Sequence, residues 1–240
     1  MEQRLQKILS NYGVASRRKA EQMILERRVR VNGNTASLGD AADDEEDVIE
    51  VDGVRLKKQP ARIVLMLNKP RGYVCTLSDE KGRKNVAELV SGCGARVYPV
   101  GRLDLNSEGL LLLTNNGELS RMLELPQNGW SRRYKVKVHG RVSQNKIDSL
   151  TGGVTIDGIN YGPVKIVSGE SQGTNSWLTI TLQEGKNREI RRLMKHVGLE
   201  VARLIRLSYG PFQLGGLKKG EVREVPQKVL KEQLGEKFKL

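Results

Sequence analysis

Cysteine is nearly absent from this 240-residue chain: Cys75 and Cys93 are the only two, and they are not a close-spaced pair. A disulfide framework and a thiolate zinc site are both excluded on that count. Histidine is as scarce, with His139 and His196 far apart and no metal-binding spacing around either. Long apolar runs are missing too. The densest, residues 63–67 and 110–113, are far too short to cross a bilayer. Residues 1–7, Met-Glu-Gln-Arg-Leu-Gln-Lys, lack the apolar stretch of a signal peptide, so the chain is expected in the cytoplasm, away from membranes. No internal repeat and no low-complexity segment occurs. Aromatic residues make up 4%, as six Tyr, two Phe and two Trp, so an aromatic in a charged strand stands out.

What the chain has is positive charge. Its 41 Lys and Arg against 28 Asp and Glu leave +13. That is the electrostatic footprint of a polyphosphate partner, although a basic surface serves solubility as well. The charge is uneven. Residues 1–60 hold 11 of each sign, and residues 61–240 hold 30 basic and 17 acidic side chains, the whole excess. Within the first segment, residues 1–31 carry eight basic and three acidic side chains, whereas 40–52 carry eight acids and no base. Such a separation suits a small oriented module better than a uniformly charged tail. Residues 57–62, Lys-Lys-Gln-Pro-Ala-Arg, read as a linker between a domain over 1–60 and a domain over 61–240.

Periodicity supplies the elements. Leu5, Ile8 and Leu9 share one helical face, and Gly13 is suited to end that helix in a left-handed cap. Ser16 is an N-cap for a second helix over 17–25. Residues 29–33 and 48–53 alternate like strands running into glycine turns. Further strands are expected over 63–67, 110–114, 134–139, 162–167, 177–182 and 222–225, and helices over 85–89, 119–123, 144–150 and 187–197. Many strands with a few scattered helices make the larger part an α+β domain on a largely antiparallel sheet.

Three strings carry chemistry. Residues 101–119 begin Gly-Arg-Leu-Asp-Leu-Asn-Ser-Glu-Gly and continue into Leu110 to Leu113, so Asp104 sits in a polar loop anchored by a buried strand. Residues 132–138 are Arg-Arg-Tyr-Lys-Val-Lys-Val. Residues 182–193 are Leu-Gln-Glu-Gly-Lys-Asn-Arg-Glu-Ile-Arg-Arg-Leu. In this order the strings resemble the motifs of the pseudouridine synthases, in the branch that modifies bacterial ribosomal RNA. The helix pair and hairpin of residues 1–60 resemble the RNA-binding module shared with ribosomal protein S-four. Residues 67–74, Leu-Asn-Lys-Pro-Arg-Gly-Tyr-Val, resemble the strand-to-loop start of the family's catalytic domain.

The resemblance implies roles. The family reaction breaks the bond from ribose to a ring nitrogen of uracil, turns the base, and rejoins it through a ring carbon. It needs a carboxylate beside the sugar, which falls to Asp104. Tyr134 would line the active site against the base. Arg191 would pair with the aspartate in a two-point contact, and Ile190 would pack on the base. Arg102, Lys69, Arg71 and Arg188 are expected to touch the substrate, with Arg188 and Arg192 open to reading as a plain RNA-facing basic helix. Glu108 is structural in the family pattern. In the small module, Lys7, Arg17, Arg18, Lys19 and Arg30 would meet RNA phosphates. Nothing is added or lost in the reaction, so no cofactor and no metal is expected. The expected partner is ribosomal RNA or a ribosomal subunit assembly intermediate, met by a monomer without an extended C-terminal tail. Residues 203–210 resemble the type acting on large-subunit RNA. A small-subunit enzyme and a non-catalytic assembly factor stand as alternatives.

Overall fold

The computed structural model describes residues 1–57, 61–77 and 79–235. Residues 58–60, the middle of the expected linker, lie outside the described residues. The chain divides into two compact units: Met1–Ile63 with Gly94–Arg96 and Asn115–Gly117, and the remainder.

In the first unit, helix Leu5–Asn11 buries Leu5, Ile8 and Leu9, and helix Arg17–Leu25 buries Ala20, Met23 and Ile24. Both rest on Val29, Ile49 and Val51 in one apolar cluster. The first helix ends as its sequence suggests, with Gly13 at φ 77 and the Val14 N–H donating to the Leu9 carbonyl. The second begins with the Lys19 N–H donating to Ser16 Oγ at 3.2 Å. Four short antiparallel strands follow in the order Asn34–Thr35, Val29–Val31, Ile49–Val51, Val54–Arg55. The acidic run is spent on local turns: Asp47 accepts from Asn32 Nδ2 and from the Asp43 N–H.

In the second unit a large sheet runs in the order Lys165–Gln172, Asn175–Leu182, Arg132–His139, Glu200–Tyr209, Ser107–Thr114, Val64–Lys69, Val222–Glu224, with Tyr98–Pro99 and Phe212–Gln213 attached off this path. Every pairing is antiparallel except that of Ser107–Thr114 with Glu200–Tyr209. The sheet is thus largely antiparallel with one parallel seam, and that seam matters for the site. All eight residues of Ser107–Thr114 are buried. Leu110 and Leu112 face a cluster with Leu119, Leu123, Phe212 and Leu230, so helices Gly117–Glu124 and Gln227–Leu234 cover that face. No helix among the described residues is long and apolar enough to cross a membrane.

Several elements differ from expectation. The strand expected over 162–167 runs from Lys165 to Gln172; Gly162 gives its N–H to Glu184 at 2.6 Å, and Pro163 has none to give. The helix expected from 187 starts at Glu189, because Arg188 is left-handed at φ 52. The ten-residue strand Glu200–Tyr209 and the helix Gln227–Leu234 were not foreseen. The strand carries Glu200, Arg203 and Arg206, which interrupt its apolar alternation.

Candidate active site

The loop before strand Ser107–Thr114 is pinned carbonyl by carbonyl. Asp104 O accepts from the Ser107 N–H and Leu105 O from the Gly72 N–H. Asn106 O accepts from Arg191 Nη2 at 3.3 Å. Upstream, the Leu103 N–H donates to Cys75 Sγ, and burial raises that thiol's pKa. The strand is locked in turn by Glu108, 5% exposed, which accepts from Arg203 Nε at 2.6 Å and Nη2 at 3.1 Å and pairs with Lys219 at 2.9 Å. The Arg203 contacts pull its pKa down to about 2. The Asp104 side chain, 38% exposed, therefore stands on a rigid support.

Asp104 lies where two cavities meet. One, of about 330 Å³, is lined by Arg102, Asp104, Tyr134, Ile190 and Arg206. The other, of about 860 Å³, runs past Cys75, Lys81, Arg83 and Asn187. Arg102, Asp104, Lys186 and Arg188 belong to both. Tyr134 and Ile190 are buried; Arg102 and Arg188 are exposed.

Arg191 approaches Asp104 differently from expectation. Its Nε lies 3.9 Å from Asp104 Oδ2, a single long contact. Nη1 donates to Val201 O at 3.2 Å and Nη2 to Asn106 O, so its hydrogen bonds go to backbone carbonyls and the carboxylate is not held in a two-point grip. Burial lowers its pKa, Asp104 works against that, and Arg188 and Arg71 add repulsion. Arg191 thus holds the loop as much as the carboxylate.

Lys69 requires a correction. It is 0% exposed, and its Nζ donates to Pro70 O at 3.0 Å and Tyr73 O at 2.8 Å, so it cannot touch RNA. Burial lowers its pKa, against the pull of Cys75, Asp104 and Glu108. Arg71 is exposed beside the loop, with Nε 3.3 Å from Asn106 Oδ1. In the first unit Arg17, Arg18, Lys19 and Arg30 are exposed and Lys7 is half-buried.

Other cavity residues escaped sequence reasoning. Arg132, 6% exposed, donates Nη1 to Trp130 O and Gln183 O, and Nη2 to Tyr209 Oη and Leu123 O. The Tyr209 ring has the Arg132 guanidinium 4.5 Å from its centroid and that of Arg206 5.0 Å away. Glu189 is 4% exposed, and its pKa is pushed up to about 8 by burial first and then by Glu184. Glu184 is driven the other way: burial opposes its ionisation, but Lys186, the Gly162 N–H and the Glu189 proton outweigh it. One signal was available. Leu204 and Arg206 share a face at the strand period and both are buried; a bulge then sets Ser208 opposite Arg133 on the other face and brings Tyr209 to the cavity.

A carboxylate, a phenol and buried guanidinia around one cleft, open to a wider groove, make an enzyme's site rather than a plain binding face. Residues 63–196 match the RNA pseudouridylate synthase family, and residues 3–49 match the S4 domain. An uncharacterized RNA pseudouridine synthase of Rickettsia felis is 44% identical over 228 residues, 95% of this chain and 99% of that one. The ribosomal large subunit pseudouridine synthase B of Bacillus subtilis is 36% identical over 225 residues, 93% of this chain and 92% of that one. The crystal structure of a pseudouridylate synthase superposes with a TM-score of 0.68 at 26% identity, covering 97% of this chain and 99% of that one. The chain belongs to the RNA pseudouridylate synthase family, with an S4 domain at its N-terminus.

Proposed function

We propose that this enzyme isomerises a uridine of ribosomal RNA to pseudouridine, in the large-subunit RNA, with Asp104 as the catalytic carboxylate. The observation that carries the reading is Asp104 at the junction of the two cavities, beside Tyr134. The smaller cavity has room for one pyrimidine, and the larger suits the strand it comes from. The target uridine leaves its stack and enters the smaller cavity. Asp104 meets the sugar as nucleophile or as counter-charge to a cationic ribose. Tyr134 and Ile190 hold the freed ring flat while it turns. Arg191 and the carbonyl contacts keep the carboxylate from swinging away. Arg102 and Arg188 at the shared rim, and Arg71 beside it, bind phosphates on either side of the target.

The large-subunit assignment is supported by the Bacillus subtilis relative's name. The N-terminal segment, residues 1–60, works as the RNA-binding module and residues 61–240 as the catalytic domain. A single copy meets ribosomal RNA or an assembling subunit in the cytoplasm. Mapping pseudouridines in ribosomal RNA from a strain lacking this chain tests the reading. Loss of one large-subunit pseudouridine is expected; loss confined to small-subunit RNA, or no loss, contradicts it.

A further inference from the structure

Arg206 is 3% exposed and lines the smaller cavity. Its Nε donates to Leu110 O at 2.7 Å, the one hydrogen bond of its side chain among the described residues, and its guanidinium lies 5.0 Å from the centre of the Tyr209 ring. Nη2 is shut off from solvent with no partner. A guanidinium buried this far without a counter-charge is expensive, and a fold that keeps one has an acceptor for it at some point in its working cycle. The neighbouring cations are already committed. Both Nη atoms of Arg132 are on carbonyls and Tyr209, and Arg191 is on Val201, Asn106 and Asp104. Asp104, Glu124, Glu184 and Glu189 line the same cavity, but none forms an ion pair with Arg206 among the described residues: Asp104 faces Arg191, Glu124 accepts from Ser120, Glu184 from Lys186 and Gly162, and Glu189 from the Lys186 N–H.

The backbone is built to place this side chain. Arg206 stands in register opposite Tyr134 on one side and opposite Gly109 on the other, at the parallel seam. A Cβ on Gly109 would lie 2.3 Å from Arg206 O and 2.7 Å from Arg206 N, and Gly109 has φ +99. Only glycine lets strand Ser107–Thr114, which follows the Asp104 loop, come this close to the Arg206 strand.

We propose that Arg206 is a further catalytic residue, whose guanidinium binds a carbonyl oxygen of the target uracil and stabilises the negative charge the ring takes on when it leaves the ribose. This deepens the function proposed above and rests on it. The C1′–N1 bond breaks with its electron pair on the base, spread over N1 and the two carbonyl oxygens. Arg206 donates an Nη–H to one of those oxygens and keeps its proton. The ring turns, C5 bonds to C1′, the C5 proton departs and N1 takes one up, so atoms and charge balance with no co-reactant. The donor sits in place before the charge develops, which is the condition for a large rate effect.

The test is single-turnover conversion of large-subunit ribosomal RNA transcripts by the full-length chain, with nucleosides separated chromatographically after digestion. Arg206→Met is expected to lose about a hundredfold in rate, the scale of one lost transition-state donor, with RNA affinity retained. Arg206→Lys, which keeps a cation, falls between. A variant as fast as the unmodified chain, or Arg206→Lys no faster than Arg206→Met, overturns the role of Arg206 and leaves the proposed function standing. No product from the unmodified chain overturns the proposed function itself. A measurement free of folding effects uses the unmodified chain: 5-nitrouracil, an anion at neutral pH, should inhibit more strongly than neutral uracil. Equal inhibition, or none from either, overturns the proposal.

Discussion

Glu189 keeps its proton to about pH 8 because it is buried and faces Glu184, which has the better hydrogen bonds for holding charge. In the unfolded chain both titrate as ordinary glutamates. Between the ordinary glutamate range and pH 8 the folded state therefore binds a proton that the unfolded state has released. Stability from this site is greatest at acid pH and declines as pH rises toward 8. Glu189→Gln keeps an acceptor for the Lys186 N–H and a donor toward Glu184, but cannot titrate. Thermal melting of both proteins from pH 5 to 8.5 should show the variant gaining on the unmodified chain as pH rises. A difference that stays constant with pH would show that Glu189 is ionised throughout. Glu108 runs the opposite way: its pKa is held at about 2, so its contribution is complete above the ordinary glutamate range and is lost as pH falls from that range to about 2. The family pattern made Glu108 structural, and its bonds to Arg203 and Lys219 give that a physical basis.

The parallel seam between Ser107–Thr114 and Glu200–Tyr209 is what the site depends on most among the elements. It sets Asp104, at the head of one strand, against Arg206 in the other. Gly109→Ala forces a Cβ into the Arg206 backbone at a positive φ, and a cost of about 3 kcal/mol is expected from strain and separation of the strands. Denaturant unfolding should show that loss, with activity falling further than stability because both Asp104 and Arg206 shift. An unaltered midpoint would mean that the seam tolerates the methyl group. Much of this architecture was legible. Leu5, Ile8 and Leu9, the Ser16 cap, and the alternation of residues 134–139 and 177–182 are local patterns, and local patterns survive folding. The Glu200–Tyr209 strand was hidden because its cavity face holds an arginine and a bulge breaks the alternation between Arg206 and Tyr209. The burial of Lys69 was hidden as well: its ammonium is satisfied by carbonyls of Pro70 and Tyr73, and a neighbour four residues on does not show in periodicity.

Across the whole molecule, charge and domain content agree. The +13 excess lies in residues 61–240, whereas the S4 domain carries equal numbers of both signs and separates them. Its exposed bases, Arg17, Arg18, Lys19 and Arg30, can meet phosphate while its acids close turns. Replacing these four with alanine in the full chain should weaken binding to ribosomal RNA and make the slope of log affinity against log salt shallower by about 3. An unaltered slope would assign the module another task.

The account as a whole turns on one oxygen pair. Large-subunit ribosomal RNA labelled with tritium at uracil C5 releases its label only if the ring is detached and rejoined through that carbon. The unmodified chain should release tritium, and Asp104→Asn should release none above the enzyme-free control while binding the RNA within about threefold of the unmodified affinity. Tritium release by Asp104→Asn at a rate near that of the unmodified chain would contradict the account.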